Sequence, residues 1–174
     1  MRQRLFFALW PEPTLQSRLF SMAAGCAVRG ARQVSVSDIH CTLVFIGDVE
    51  FSVTEELKIG AATIDLPVFS LCIDHIDWWR GPQVLWAGVG DVPESLLQLH
   101  AQLRDLARET GIHTDPRPLV PHLTLWRKVR EPVPKTAIAP VRWEVRAFAI
   151  VESVGNNSAV RYRVLQNWPL RATW

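Results

Sequence analysis

The sequence predicts an α+β fold, and three observations support this class. Short apolar runs rich in Thr, Val, Ile and aromatic residues recur along the 174-residue chain and are typical of buried strands. Between these runs lie segments whose leucines recur at helical spacing. Two of the strands carry the pattern His-x-Thr-Leu, each soon after a predicted helix, which hints at an internal duplication. Strands, helices and hairpins in this order indicate an α+β sandwich.

Length and composition limit the classes of protein to which the chain can belong. With 48% hydrophobic and 21% charged residues, the chain is typical of a soluble globular protein, and its length suits one domain over residues 1–174. No apolar run approaches the ~18 residues that a membrane span needs. Prolines and charges interrupt the apolar N-terminal run, so we expect that this run is not a signal peptide. Cys26, Cys41 and Cys72 lack metal-ligand spacing, so we expect reduced thiols in a cytoplasmic protein, with a monomer as the working hypothesis.

Charge is unevenly distributed along the chain. Residues 117–174 carry ten Lys and Arg against three acidic residues, whereas residues 1–116 carry nine against fourteen. The basic part contains the second His-x-Thr-Leu motif, so its charge can attract a phosphate-rich partner. Attraction between the acidic and basic parts of the chain explains the same asymmetry equally well.

The first predicted elements are a strand, a helix and the first motif strand. Arg4–Leu9 is an apolar run ended by prolines, which predicts a central strand. Residues 14–28 predict a helix with Gly30 near its end. Gly30–Ser37 is a polar turn or short edge segment that leads into the motif strand Ile39–Gly47. The apolar positions of the helix are Leu15, Leu19, Met22 and Ala23.

A second helix and a hairpin follow. Residues 53–63 predict a helix, with Ser52 and Glu55 as a capping box. Pro67–Ile76 predicts a strand, and a turn at Asp77–Pro82 returns the chain as a second strand, Val84–Val89. The expected apolar contacts of the helix are Leu57, Ile59 and Ala61.

The second half of the chain contains the clearest helix. It runs from Pro93 to Gly111 and has an apolar stripe of leucines. A proline-rich loop then delivers the second motif strand, Pro121–Arg127, and Lys128–Pro140 is expected to be a solvent-facing lid or crossover. A final hairpin joins Val141–Ser153 to Val160–Gln166 around Gly155, Asn156 and Asn157. The leucines of the stripe are Leu96, Leu99, Leu103 and Leu106.

The two motifs supply the candidate catalytic residues. On a strand, residues two apart share a face, so His40 lies beside Thr42 and His122 beside Thr124. An imidazole titrates near neutrality, so one histidine can remove a proton from an attacking oxygen while the other protonates a leaving oxygen. Hydroxyl groups can donate to the oxygens of a phosphate. If the strands face each other, these four side chains suit the cleavage of a phosphodiester without a metal ion.

Other chemistry finds less support in the sequence. Strand alternation turns Cys41 away from His40, and a buried thiol is usually inert. Zinc needs three or four ligands, and no His-x-x-x-His or cysteine-rich spacing occurs. Neither a phosphate-binding Walker loop nor a Gly-x-Ser-x-Gly elbow is present. His75, His100 and His113 lack a motif and are expected to be structural or exposed, and no cofactor is expected.

At the level of these motifs the chain resembles the 2H phosphoesterases, and within them the RNA 2′,3′-cyclic phosphodiesterase branch, historically called 2′-5′ RNA ligase. The resemblance spans nearly the whole chain, with small departures at Ile46, where Leu is usual, and at Trp126, where a small residue often stands. The segments that carry it are Arg4–Leu9, the first motif, Arg80–Trp86, Pro121–Leu125 and the closing Tyr162 with Trp168–Leu170.

The resemblance implies a fold, a reaction and roles. It implies two pseudo-symmetric lobes of antiparallel sheet with outer helices and a central cleft, in a chain that acts on RNA 3′ ends or small cyclic nucleotides. The implied reaction converts a terminal 2′,3′-cyclic phosphate to a 2′-phosphate. We expect His122 to be the base and His40 the acid, although the sequence does not order them, with Thr42 and Thr124 on the phosphate oxygens.

Several alternatives stay open at this point. Arg127 follows Thr124 by three residues, so it reaches the phosphate only if the strand bends or ends there, although its guanidinium suits that ligand. Phe7, Trp79 or Trp86 can either stack on a base or pack in the core. The same pocket could also serve a binding module without turnover, or a 2′-5′ phosphodiesterase or ligase.

Overall fold

The computed structural model describes residues 2–26, 28–155 and 161–172. Within them the chain forms nine strands and three α-helices. The helices are α1 (Pro13–Ala24), α2 (Phe51–Ala61) and α3 (Glu94–Glu109). The strands are β1 (Arg2–Leu9), β2 (Arg32–Gln33), β3 (Cys41–Glu50), β4 (Phe69–Trp79), β5 (Val84–Val89), β6 (His122–Arg127), β7 (Thr136–Val145), β8 (Ala147–Ser153) and β9 (Tyr162–Pro169).

The strands pair in the order β7-β4-β5-β6-β3-β1-β8-β9, and the short β2 also pairs with β6. All these pairings are antiparallel. The two motif strands, β3 and β6, therefore lie at the centre, with three strands beyond each of them. They meet through the pair Cys41 and Leu123. This arrangement confirms the expected α+β class with two pseudo-symmetric lobes.

The helices cover the core face of the sheet and cross between the lobes. Helix α1 precedes β3 but packs against β6, whereas α2 and α3 pack against β3 and against each other. The apolar stripe of α3 is buried as predicted at Leu96, Leu99 and Leu103. A side chain at Gly60 of α2 would collide with Leu106 of α3, so the glycine permits the close approach of these helices. Among the described residues, no helix is long and apolar enough to cross a membrane.

Helix boundaries correct two predictions. Helix α1 ends at Ala24 rather than near residue 28, because the amide of Gly25 turns back to the carbonyl of Met22. Helix α2 begins at Phe51, and no side chain caps it, so the predicted capping box of Ser52 and Glu55 is wrong.

The apolar contacts of α2 also differ from the prediction. Ile59 is 71% exposed rather than packed, because the buried face consists of Thr54, Leu57 and Ala61. These three positions recur at spacings of three and four residues, as one face of a helix requires. Thr54 satisfies its hydroxyl by donating to the side-chain oxygen of Gln3 at 3.0 Å.

Strand boundaries change more than helix boundaries. Strand β3 continues past Gly47, which takes a φ of +85° within the strand instead of ending it. Strand β4 continues through Trp79, because residues 77–79 pair with β5, so the turn lies at residues 80–83 rather than 77–82.

The end of the chain is divided differently from the prediction. Thr136–Pro140 belongs to β7 and pairs with β4, so only residues 128–135 form an irregular connection. Val141–Ser153 is not one arm of a hairpin, because β7 and β8 separate at Arg146 and lie at opposite halves of the sheet. Strands β8 and β9 do form the predicted hairpin. Asn156, Asn157 and Val160, which belong to the predicted turn and strand, lie outside the described residues.

Candidate active site

The pairing of the motif strands brings the two motifs together. Cys41 lies between His40 and Thr42, and its partner Leu123 lies between His122 and Thr124. Cys41 and Leu123 are both fully buried in the core. Because neighbouring residues on a strand face opposite sides, the histidines and threonines face the other way, into one cleft.

This cleft, which we call the catalytic cleft, has a volume of about 390 Å³. All five predicted site residues line it, including Arg127. The structure thus brings together the five residues that the sequence predicted as catalytic or phosphate-binding. The lining residues are Arg4, Phe6, His40, Thr42, Phe45, Trp79, Pro82, Val84, His122, Thr124, Arg127, Ser153 and Tyr162.

A bulge explains how Arg127 reaches the cleft. Leu85 pairs with Trp126, but the next residue of β5, Trp86, pairs with Thr124, so Leu125 is an extra residue in β6. A bulge resets the alternation of a strand by one residue. Leu125 and Trp126 can therefore both turn towards the core, and Arg127 returns to the side of Thr124.

The same bulge occurs in the first motif strand. Phe7 pairs with Val44 and Ala8 with Thr42, which leaves Leu43 as the extra residue of β3. Leu43 and Val44 are both buried, and Phe45 returns to the cleft with half of its surface exposed. Phe45 is thus the counterpart of Arg127 in the other lobe.

Both histidines present the same nitrogen to the cleft. The Nδ1 atom of His40 lies 2.6 Å from the carbonyl oxygen of Asp38, and that of His122 lies 2.8 Å from the carbonyl oxygen of Val120. A carbonyl oxygen only accepts hydrogen bonds, so Nδ1 carries the proton in each ring. Nε2 is therefore the atom that is free to take up or give a proton.

His40 lies in an aromatic box. Its ring stacks on Trp10 with centroids 4.9 Å apart and an angle of 4° between the planes. Phe6 lies tilted at 5.1 Å, and Tyr162 meets the imidazole at 5.0 Å and 73°. These contacts fix the ring plane and exclude water from around it.

His122 has a different set of aromatic neighbours. Trp79 meets its ring at 4.5 Å and 68°, and Trp86 at 5.9 Å and 73°. Behind Trp86 lies His75, whose Nδ1 atom is 2.6 Å from the Asp74 carboxylate. His75 therefore packs behind Trp86 and is not part of the cleft lining.

Burial shifts both histidines towards the neutral form. Removal from water lowers the pKa of His40 from 6.5 to about 4; the nearby Arg127 and His122 lower it further, while the hydrogen bond to Asp38 opposes the shift. Burial also lowers the pKa of His122, with Arg127 adding to the shift and the Val120 carbonyl opposing it. At pH 7 both rings are therefore mainly neutral.

The other polar groups of the catalytic cleft suit an anion. In the part of the chain that the structure describes, the hydroxyls of Thr42 and Thr124 form no hydrogen bond, so both can donate to a ligand. The guanidinium of Arg4, which also lines the cleft, lies 5.3 Å from the centre of the Phe45 ring. Within residues 2–26, 28–155 and 161–172, no group of three or more His, Cys, Asp or Glu side chains is placed to hold a metal ion.

Cys41 does not belong to the catalytic cleft. It is fully buried, and burial raises the pKa of its thiol to about 12. The thiolate, which is the nucleophilic form, is therefore absent at neutral pH.

Comparison with known proteins places the chain in a family. The model of the 2′-5′ RNA ligase superfamily matches residues 12–157. The chain belongs to the 2′-5′ RNA ligase superfamily. The RNA 2′,3′-cyclic phosphodiesterase of Escherichia coli strain K12 is 32% identical over 173 residues, which is 97% of each chain. The enzyme of that name from Thermotoga maritima is 26% identical over 150 residues, 78% of each chain. The resemblance drawn from the two motifs is thereby confirmed.

Solved structures of the superfamily share the fold. A phosphoesterase crystal structure has a TM-score of 0.89 at 30% identity, covering 98% of this chain and 99% of its own. E. coli LigT complexed with 3′-AMP has a TM-score of 0.88 at 30% identity, with the same coverage. The two-lobed sheet of this chain is therefore the fold of the superfamily.

Of the three aromatic residues for which the sequence left base stacking and core packing open, only Trp79 lines the cleft. Phe7 is completely buried and Trp86 is 4% exposed, so these two pack in the core. Their neighbour Phe6 lies in the cleft instead. Alternation along β1 already carried this signal, since Arg4 and Phe6 share one face while Leu5 and Phe7 share the other.

Sequence reasoning also missed Trp10 and undervalued Tyr162. Tyr162 entered only as part of the closing segment of the resemblance, but it contacts His40 and lines the cleft. Trp10 lies just past the end of β1 but continues its alternation, since it packs with the cluster that contains Phe6 and Ala8. Alternation was thus an available signal for its direction, although it does not identify His40 as its partner.

Proposed function

We propose that this member of the superfamily hydrolyses the terminal 2′,3′-cyclic phosphate of RNA to a 2′-phosphate, with His40 and His122 as acid and base and without a metal ion. The observation that carries the proposal is the convergence of two histidines, each with Nε2 free, in one cleft with two free threonine hydroxyls. The names of the E. coli and T. maritima relatives support the same reaction. RNA 3′ ends and small cyclic nucleotides are the proposed substrates, acted on by a monomer.

The chemistry needs two proton transfers. Nε2 of His122 removes a proton from water as the water oxygen bonds to phosphorus. The bond from phosphorus to the 3′ oxygen breaks, and Nε2 of His40 gives its proton to that oxygen. The product keeps its phosphate on the 2′ oxygen, and exchange with solvent restores both rings. Attack in line with the leaving oxygen requires the base and the acid on opposite sides of phosphorus, and the proposed mechanism assigns one motif histidine to each side.

Thr42, Thr124 and Arg127 are proposed to hold the phosphate. Hydroxyl and guanidinium donors aimed at the non-bridging oxygens stabilise the charge that develops there as the water attacks. Arg127 also offers two parallel donors, which match a phosphate better than a point charge does. The bulge at Leu125 is what makes this role open to Arg127.

In this mechanism, substrate binding must raise the pKa of His40 so that its ring is protonated. Burial lowers the pKa of His40 to about 4, so at neutral pH this ring needs a nearby negative charge to carry the proton that it donates. A phosphate anion beside an imidazole raises its pKa, so the bound substrate itself favours the charged form of His40. The proposed order, with His122 as base and His40 as acid, therefore depends on the substrate to complete the site.

The test is turnover of an RNA oligonucleotide that ends in a 2′,3′-cyclic phosphate, in excess EDTA, with the product compared with 2′- and 3′-phosphate standards. Conversion to the 2′-phosphate supports the proposal, and conversion to the 3′-phosphate contradicts the choice of leaving oxygen. Binding without turnover favours a non-catalytic module that recognises RNA ends. Joining of the cyclic-phosphate end to the 5′-hydroxyl of a second oligonucleotide, with the 3′ oxygen as leaving group, favours the 2′-5′ ligase reaction on the same scaffold.

A further inference from the structure

A smaller pocket adjoins the catalytic cleft. Its volume is about 80 Å³, so it suits a small ionic group rather than a nucleoside. Arg127 and Tyr162 line both the pocket and the cleft, which makes one continuous with the other. We call it the arginine pocket. It is lined by Arg32, Gln33, Val34, Ser35, Asp38, Arg127, Arg161 and Tyr162.

The pocket concentrates positive charge in an unusual way. Arg32 and Arg127 are direct partners in the antiparallel pairing of β2 with β6. Like charges directly opposite each other destabilise a sheet. Arg161, which precedes β9, brings a third guanidinium to the same place. An anion among the three guanidinium groups would offset their mutual repulsion.

The protein itself neutralises little of this charge. Among residues 2–26, 28–155 and 161–172, the three guanidiniums form no ion pair and no side-chain hydrogen bond. The acid of the pocket is Asp38, whose pKa burial raises and the three arginines lower. Three positive groups against at most one negative group leave a net positive pocket.

We propose that the arginine pocket binds the phosphate on the 5′ oxygen of the nucleotide whose cyclic phosphate reacts. This inference rests on the proposed function and names its substrate more closely. Arg127 lies between the two sites, so it can contact the reacting phosphate on one side and face the second phosphate on the other. The arrangement favours the end of a polynucleotide over an isolated nucleoside 2′,3′-cyclic phosphate.

The experiment compares kcat/KM for adenosine 2′,3′-cyclic phosphate, the same compound with a 5′-phosphate, and a dinucleotide that ends in the cyclic phosphate. We expect the wild type to prefer both phosphate-bearing substrates by about tenfold or more, which corresponds to roughly 1.4 kcal/mol. If kcat/KM is higher for the dinucleotide, the phosphodiester of an RNA chain is enough to occupy the arginine pocket. If kcat/KM is higher only for the compound with a 5′-phosphate, the pocket takes the phosphate of a mononucleotide. Equal values for all three substrates overturn the proposal.

Two variants assign the effect to the pocket. Arg32→Ala and Arg161→Ala should abolish the preference while leaving kcat/KM for the simple nucleoside substrate within about twofold of wild type. Arg142→Ala, an exposed arginine of β7 that hydrogen-bonds Ser70, is the matched control and should keep the preference. Equal losses of kcat/KM on every substrate would contradict the proposal. They would mean that these arginines bind the reacting phosphate or are needed for folding. Unfolding midpoints of the pocket variants should equal or exceed that of wild type, since repulsion is relieved.

A binding measurement separates this inference from the proposed reaction. Titration calorimetry with adenosine 2′-phosphate and adenosine 2′,5′-bisphosphate requires no turnover. We expect wild type to bind the bisphosphate more tightly by about tenfold, and Arg32→Ala and Arg161→Ala to bind both ligands equally. Equal affinities in wild type overturn the inference even if the enzyme is active, and tighter bisphosphate binding supports it even if the reaction proves to be another.

Discussion

Trp10 lies face to face with the imidazole of His40, with ring centroids 4.9 Å apart and planes within 4° of parallel. His122, at the matching position of the other lobe, meets Trp79 at 68° and Trp86 at 73°. Two histidines that share a motif and a tautomer thus differ in the aromatic surface around them. This difference gives each ring its own protonation behaviour and breaks the symmetry of the cleft.

Replacement of Trp10 should change the titration of His40. In Trp10→Ala, water reaches the ring, so the pKa of His40 should rise from about 4 towards 6.5, and kcat should fall by roughly tenfold as the ring loses its fixed plane. Trp10→Phe keeps an aromatic face and should lie between wild type and Trp10→Ala. Nitrogen NMR of the His40 imidazole against pH measures the shift. An unchanged pKa in Trp10→Ala would show that Trp10 has no part in setting it.

The activity should depend on pH in a defined direction. Both histidines have pKa values below 6.5, and catalysis needs one ring protonated and one neutral. Above pH 6.5 both rings of the free enzyme are neutral, so kcat/KM should decrease towards a tenfold loss per pH unit. The profile of kcat should lie at higher pH, because the bound phosphate raises both pKa values. A kcat/KM that rises between pH 6.5 and 8 would contradict this account.

The motif threonines should act through their hydroxyls. Thr42→Ala and Thr124→Ala should each reduce kcat by roughly 10- to 100-fold, since each removes one donor from the phosphate oxygens. Thr42→Ser and Thr124→Ser keep the hydroxyl and are the matched controls, expected within about threefold of wild type. Steady-state kinetics with the cyclic substrate provides the measurement. If the serine variants lose as much activity as the alanine variants, the methyl group and packing explain the effect instead.

Much of the site followed from the sequence because strand alternation is a local property. The pattern His-x-Thr-Leu is enough to place His40 with Thr42 and His122 with Thr124, and to turn Leu43 to the core. The strong helical stripe of α3 was equally clear. These features depend on neighbours a few residues away, which a single sequence displays.

Other features depend on pairing between distant segments. The bulge that returns Arg127 to the cleft is set by the register of β5 against β6, and alternation alone predicts the opposite face. Residues 141–153 look like one continuous strand, yet the chain passes from one half of the sheet to the other at Arg146. The arginine pocket likewise arises only because β2 pairs with the end of β6.

Cys41 should be dispensable for the reaction. It is fully buried with a pKa of about 12, so iodoacetamide should not inactivate the folded enzyme at pH 7. Cys41→Ser should keep the catalytic mechanism, with kcat near wild type. Mass spectrometry of the treated protein identifies which thiols react, and the exposed Cys72 is the internal control. Loss of activity in step with modification of Cys41 would make it a participant in catalysis.

The central claim is that two histidines act as acid and base on a cyclic phosphate. The most direct measurement is turnover of the cyclic-phosphate-ended oligonucleotide in excess EDTA by wild type, His40→Ala and His122→Ala. His113→Ala, which changes an exposed histidine outside the catalytic cleft, is the matched control. We expect wild type and His113→Ala to be equally active, and each motif variant to lose roughly 100-fold or more in kcat while remaining folded. Activity that survives either motif variant, or that disappears in EDTA and returns with a divalent metal ion, would contradict the account.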